Sequence, residues 1–271
     1  MLSSDSLRKS ARELVRSLLP RSLRSQHILS GPLRGSRIVT SLHDYPGAIL
    51  GTTERPLLEW FGRNVRAKET WIDVGAHYGY TAISLSRFVG GAGRVFAFEP
   101  VVPTANCVIR TRELNGLRQL TVIPMGLASH PGIKTLDLPT VRGMADSTID
   151  SGSWSERILT ISLDSLWPSV CGVDPEIHGV KIDVQGMELD VLVGMRELLL
   201  RWAPKLVVEF HRGVDRGEIL HLLAACGYAS DWQPVGTVNP ERILADDVSY
   251  AFRPLSDRCA SLSIPSSTGR N

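Results

Sequence analysis

From residue 70 to residue 210 the chain alternates short apolar runs with segments of helical period, and this alternation limits the fold more than any other feature. Residues 70–74, 94–98, 120–125, 180–184 and 206–210 are short runs bounded by polar or turn residues, and each reads as a buried strand. Between them, Ala82, Leu85 and Val89 form one apolar stripe, and Met187, Val191, Gly194 and Leu198 another. A third helical segment opens at Asp215, with Glu218 three residues on as in a capping box. It continues through Ile219, Leu222, Leu223 and Cys226 and stops at Gly227. Strand–helix–strand repetition predicts an α/β fold with a parallel sheet and helices on both faces. Residues 133–163 break the rhythm: 134–138 and 157–163 read as two strands around a polar loop, a small inserted β segment near the ligand edge of the sheet. Residues 228–232 and 248–252 supply two last strands.

In an open sheet of this kind the ligand sits beyond the carboxyl ends of the strands, so function is sought there. The first strand runs into Asp73-Val-Gly75-Ala76-His77-Tyr-Gly79-Tyr. This is D-x-G-x-x-x-G, not the G-x-G-x-x-G of dinucleotide folds, which argues against a nicotinamide oxidoreductase. An acid just before the glycine turn suits a ligand with an ammonium group, such as the methionine half of S-adenosylmethionine. Gly75 and Gly79 let the backbone approach that ligand and let the helix pack on the strand. The second strand ends in Glu99-Pro100, 26 residues beyond Asp73. An acid there accepts hydrogen bonds from both hydroxyls of a ribose. Lys181-Ile-Asp183-Val-Gln185-Gly186-Met187-Glu188 then places Asp183 at the rim of the cleft. Glu188 falls in a helix's first turn, where a carboxylate complements the dipole, and Lys181 reads as an ordinary strand residue.

Taken together, D-V-G-A-H-Y-G-Y, A-F-E-P, T-I-S-L-D-S-L around Asp164, V-K-I-D-V-Q-G-M-E and V-V-E-F-H resemble the FkbM-type family of S-adenosylmethionine-dependent methyltransferases, in the family's order and from about Glu54 to Tyr228. The resemblance implies the class I methyltransferase fold, a Rossmann-like, mostly parallel seven-stranded sheet whose last strand is antiparallel. It also implies methyl transfer to a hydroxyl of a sugar, glycan or small metabolite, with S-adenosylmethionine as cofactor. Carried over by position, Asp73, Gly75, Ala76, His77 and Gly79 form the cofactor loop, and Glu99 with Pro100 the ribose corner. Gly126 and Leu127 fall on the adenine side, Ser147 in a nearby loop, and Asp183 on the signature acid. His77, Gln185 and Met187 stand where the family more often has Asn, Glu and a small residue, which keeps open a weakly active or purely binding protein of this fold.

An aliphatic hydroxyl is a poor nucleophile while protonated, so a base beside it helps. Asp183 and His211 end adjacent strands in the expected order. His211 is the favoured base because its ordinary pKa of about 6.5 suits neutral pH, with Asp183 orienting it or the acceptor. The alternative is that His211 only caps a strand or packs beside Glu209. A metal is left out because no second and third carboxylate cluster with Asp183 along the chain.

Charge and cysteine usage bound the rest. The net charge is +2, yet residues 1–37 hold eight basic and two acidic side chains. Residues 1–40 therefore read as a basic, partly helical extension, 41–255 as the catalytic domain, and 256–271, rich in Ser, as a disordered tail. A basic arm can touch RNA, but no aromatic residue interleaves with its charges, so no nucleic acid is expected. No apolar run reaches the length of a membrane span or of a secretory core. Four scattered cysteines (Cys107, Cys171, Cys226 and Cys259) read as thiols of a reducing, cytoplasmic setting.

Overall fold

The computed structural model describes residues 18–138, 154–171, 175–236 and 244–255. Ser147, the tail 256–271 and the first seventeen residues lie outside that set.

A hairpin of β1 (Arg24–His27) and β2 (Arg37–Thr40) leads into α1 (Pro46–Leu50) and α2 (Arg55–Asn64). The nucleotide-type core follows as β3 (Thr70–Val74), α3 (Tyr80–Val89), β4 (Arg94–Phe98), α4 (Val102–Leu114) and β5 (Leu120–Ile123). Next come β6 (Gly126–Leu127), β7 (Gly132–Leu138), β8 (Trp154–Ile161) and α5 (Leu163–Cys171). The chain then returns through β9 (Gly179–Ile182), α6 (Glu188–Val193), α7 (Arg196–Trp202), β10 (Lys205–Phe210), α8 (Arg216–Ala225), β11 (Gln233–Pro234) and β12 (Val248–Phe252).

Seven strands form one sheet in the order β11-β12-β10-β9-β3-β4-β5. The five from β10 to β5 are parallel, while β12 runs antiparallel to β10, with Leu206 opposite Phe252. Period-two alternation splits the core into two layers. Trp71, Val95, Ala97 and Val207 face one side with α2, α3 and α4. Ile72, Phe96, Phe98, Val180, Leu206 and Val208 face the other with α5 to α8. Strands buried on both faces are what near-continuous apolar runs specify.

Several expectations are corrected. The apolar stripe from Met187 to Leu198 is two helices, not one. A Cβ on Gly194 would lie 2.0 Å from Ala128 O, so the chain just after β6 presses into the break. Asp164 then caps α7 from outside, its carboxylate accepting the N–H groups of Glu197 and Leu198 at 3.0 Å each. Residues 228–232 are not a strand. Tyr228 makes a single bridge to Pro254, its hydroxyl donates to Pro204 O at 2.7 Å, and pairing with β12 begins only at Gln233. The strand expected at 157–163 is displaced toward the N-terminus, because Ser162 starts α5, its Oγ accepting the Ser165 N–H. Helix α4 carries no clear apolar stripe, since its buried face includes Thr104 and Thr111. The hairpin lies within residues 1–40, yet Ile38 and Val39 are fully buried in the first core layer, and Val39 N–H donates to Thr111 Oγ1 at 2.9 Å. The helix start at Asp215 is as expected, its carboxylate accepting the Glu218 N–H at 2.9 Å as an N-cap. No helix among the described residues is long and apolar enough to cross a membrane.

Candidate active site

The carboxyl ends of β3, β4, β9 and β10 open into one cavity of about 540 Å³. Gly75, Ala76, His77, Glu99, Pro100, Gly126, Leu127, Asp183 and His211 all line it. These residues come from five separate stretches of sequence brought together by the sheet order.

The loop after β3 is shaped by close approach. Gly75 has φ +80°, and a Cβ there would sit 1.8 Å from Asp183 O, so the turn is pressed against the end of β9. The Gly75 and Ala76 N–H groups both donate to Phe98 O at 3.0 Å, locking the turn to β4. Gly79 does not line the cavity. It starts α3 at φ +87°, with Val108 3.0 Å from where its Cβ would be, so its role is helix packing.

Asp73 is also absent from the lining. It is completely buried, accepts the Thr81 hydroxyl at 2.6 Å and lies 3.4 Å from Lys181 Nζ. The structure therefore places Asp73 beneath the floor and makes it a counter-charge to Lys181, rather than setting its carboxylate in the cavity to meet an ammonium group. Lys181, read from the sequence as an ordinary strand residue, is the buried link between the two strand ends. Its ammonium lies 3.3 Å from Asp183 Oδ2 and donates to Gly75 O at 3.2 Å. Burial opposes its charge, but Asp183 and Asp73 outweigh that and hold its pKa above the lysine range. Asp183 is correspondingly lowered, burial being overcome by Lys181 and then His211.

Glu99 is nearly buried, and its two oxygens accept the N–H groups of His77 and Val101 at 2.8 and 3.0 Å. Burial pushes its pKa up to about 7 despite those bonds. Around it the wall is apolar. Phe98, Val101, Leu127, Leu136 and Ile158 line that end, the last three from the small sheet β6-β8-β7. His77 is held neutral, burial bringing its pKa down to about 4.

The opposite wall is charged. His211 Nδ1 lies 2.6 Å from Glu188 Oε1, and its Nε2 lies 2.9 Å from Gln185 Nε2, 3.5 Å from Asp183 Oδ1 and 3.7 Å from Glu209 Oε1. Burial disfavours the imidazolium, but Glu188, Asp183 and Glu209 reverse the balance and raise its pKa above 6.5. Glu209 is pushed up to about 7 by burial and by the charges of Asp183 and Glu54. Asp183, Glu209 and His211 bring one donor atom each within 4.8 Å of one another. This overturns the premise that no other carboxylate gathers at Asp183. The positive partner of these carboxylates is Lys181, and Gln185 meets the His211 nitrogen, so the three form an acid–base network held by protein groups.

Glu54, Asp247 and Tyr45 also line the cavity and were not singled out in the sequence, while Gln185 stood out there only as a departure from the family pattern and Glu209 only as a neighbour of His211. One signal was readable: in V-V-E-F-H, Glu209 and His211 are two apart and share a face of the strand. Six described non-glycine residues have positive φ, and four of them (Glu54, His77, Gln185 and Asp247) line the cavity. Strained backbone concentrated at one cleft is typical of functional sites.

Residues 73–230 match the family model of the methyltransferase FkbM domain, more than half of the chain. The protein belongs to the FkbM methyltransferase family. Its sheet order, with one antiparallel strand inserted beside β10, is that of class I methyltransferases, and S-adenosylmethionine is the cofactor. Among solved structures, the methyltransferase FkbM of Methylobacillus flagellatus KT is 19% identical over 72% of this chain and 50% of that one, with a TM-score of 0.47. The chain thus spans about half of that protein's length. Fibrillarin of Aeropyrum pernix, with natively bound S-adenosyl-L-methionine, is 13% identical over 70% of this chain and 68% of that one, at TM-score 0.44. A SAM-dependent O-methyltransferase of Thermotoga maritima is 13% identical over 73% of this chain and 63% of that one, at 0.42. No curated protein sequence matches the chain.

The cavity fits the cofactor on its own observations. A glycine turn closes against Asp183 O, a buried carboxylate stands at the end of β4, and an apolar wall beyond it suits a purine.

Proposed function

We propose that the protein is an O-methyltransferase acting on a hydroxyl of a sugar, glycan or small metabolite, and that it works in the cytoplasm. The observation that carries this reading is His211, whose Nε2 faces Asp183 and Glu209 in the same cavity that Gly75 and Glu99 line. S-adenosylmethionine supplies an electrophilic methyl group on a sulfonium, a good leaving group. Gly75, Ala76 and His77 would present backbone to it, Glu99 would accept the ribose hydroxyls, and Gly126 and Leu127 would flank the base.

His211 Nε2 would take the proton from the acceptor hydroxyl and Asp183 would orient that hydroxyl, the methyl carbon passing from the sulfonium to the oxygen with its S–C bond breaking to leave a neutral thioether. A base so placed contributes about 10²–10⁴-fold. The raised pKa of His211 makes it a stronger base that works only once deprotonated, so methyl transfer rises with pH through that value. Glu54, Asp183, Glu209 and Asp247 line the acceptor wall against the one ammonium of Lys181 among its lining residues, a field that disfavours a polyanion such as RNA and supports a neutral hydroxyl acceptor. Cys107 and Cys226 are buried thiols, in keeping with a reducing compartment.

The test is calorimetric titration with S-adenosylmethionine, wild type beside Glu99→Ala, followed by a screen of sugar and metabolite acceptors with labelled methyl. Binding by wild type and its loss in Glu99→Ala supports the reading. A folded wild-type protein that does not bind overturns it.

A further inference from the structure

Glu188 is a carboxylate behind this site to which the reaction above gives no task. It opens the six-residue helix α6, where a dipole-complementing acid would be at home in solvent. Instead it is completely buried. Burying a carboxylate is costly unless its oxygens are well engaged. Its Oε1 accepts the Gly186 N–H at 3.1 Å and lies 2.6 Å from His211 Nδ1. Among the described residues it is the side chain bonded to that nitrogen.

The other ring nitrogen faces the cavity. Lys181 on β9, Asp183 and Gln185 in the turn after it, Glu209 on β10 and Asp247 before β12 line the space on that side. Gln185, held at φ +56° by the turn, sets its amide nitrogen 2.9 Å from His211 Nε2. An imidazole whose Nδ1–H is held by a carboxylate keeps its neutral proton on Nδ1 and turns the Nε2 lone pair outward. An amide N–H donating to Nε2 matches that tautomer and occupies the position an acceptor hydroxyl would take.

We infer that Glu188 is a positioning residue, which fixes the tautomer of His211 and strengthens it as a base, and that the Gln185 amide marks the place on Nε2 where the acceptor hydroxyl docks. The inference rests on the reading of His211 as proton acceptor. It deepens that reading by making the base a carboxylate–imidazole pair, so the acid that matters to it is Glu188, on the side away from the cavity, as much as Asp183 within it.

The test uses the full-length ¹⁵N-labelled protein and histidine ring spectra across pH, with His211 assigned by His211→Asn. In wild type the neutral ring is expected to carry its proton on Nδ1. In Glu188→Gln the His211 titration is expected to move to lower pH by about 1–3 units, the effect of removing a close opposite charge. S-adenosylmethionine affinity by calorimetry should stay within about twofold. A neutral ring protonated on Nε2, or a titration unmoved by Glu188→Gln, overturns the inference. If Glu188→Gln does not fold, the wild-type tautomer still decides. Failure of wild type to bind S-adenosylmethionine strikes the proposed function instead, and leaves the ring spectra to judge the pair separately.

Discussion

On the Glu99 side of the cavity the main chain sets the shape: the N–H groups of His77 and Val101 pin the carboxylate, and those of Gly75 and Ala76 bond Phe98 O. On the His211 side, charged side chains from β9, α6 and β10 face one another, with Lys181 as the buried cation among them. A nucleoside has the same form in every substrate pair, so a rigid backbone cradle suits it. In the proposed reaction an acceptor hydroxyl would lose a proton, and that needs titratable groups with tuned pKa values. The first region is therefore expected to govern binding and the second turnover.

The sharpest break of that division is His211→Ala. Methyl transfer should fall about 10²–10⁴-fold, with S-adenosylmethionine affinity by calorimetry nearly unchanged. A parallel fall in affinity would merge the two regions. Next comes Asp73→Ala, which strips a counter-charge from buried Lys181. Breaking a buried pair should cost about 3–5 kcal/mol of stability, read from the denaturation midpoint. If the midpoint stays and affinity drops instead, Asp73 meets the ligand after all.

Glu99→Ala removes a charged hydrogen-bond acceptor and should weaken S-adenosylmethionine binding about 10–10²-fold, while the denaturation midpoint moves less than for Asp73→Ala. A smaller effect involves pH. Glu99 and Glu209 have folded-state pKa values near 7, above their ordinary 4.5, and His211 is also raised. Each contributes stability that is complete below its ordinary pKa and lost as pH rises through the folded value. Ligand-free protein should thus lose stability between about pH 5 and pH 8, checked by urea titration at each pH. The smallest expected effect is that of a chelator. Because Lys181 and Gln185 already meet Asp183 and His211, metal removal should leave turnover unchanged, whereas a loss would recast Asp183, Glu209 and His211 as ligands.

Legibility followed the same line. The glycine turn after β3 was readable because Asp73 to Gly79 is one stretch in which turn chemistry is local, and Glu99 follows at a fixed distance. Yet the stretch gave no sign that Asp73 would be sealed under the floor, since its burial depends on Lys181, 108 residues later. The break at Gly194 was hidden for a similar reason: Ala128, which presses on it, follows β6, more than sixty residues earlier in the chain. Glu188 read as a helix-end acid because nothing nearby in sequence announces His211, which the sheet brings to 2.6 Å.

By itself, the sequence determined the alternation of strands and helices, the two-faced core and the residues at the strand ends, because apolar period and turn chemistry act over a few positions. Only the tertiary structure decided which carboxylate meets which cation, which nitrogen of His211 faces the cavity, and which acid lies behind it. Those outcomes depend on strand order and burial, and electrostatic energy at close range inside a protein is set by which groups meet and by the water they have lost.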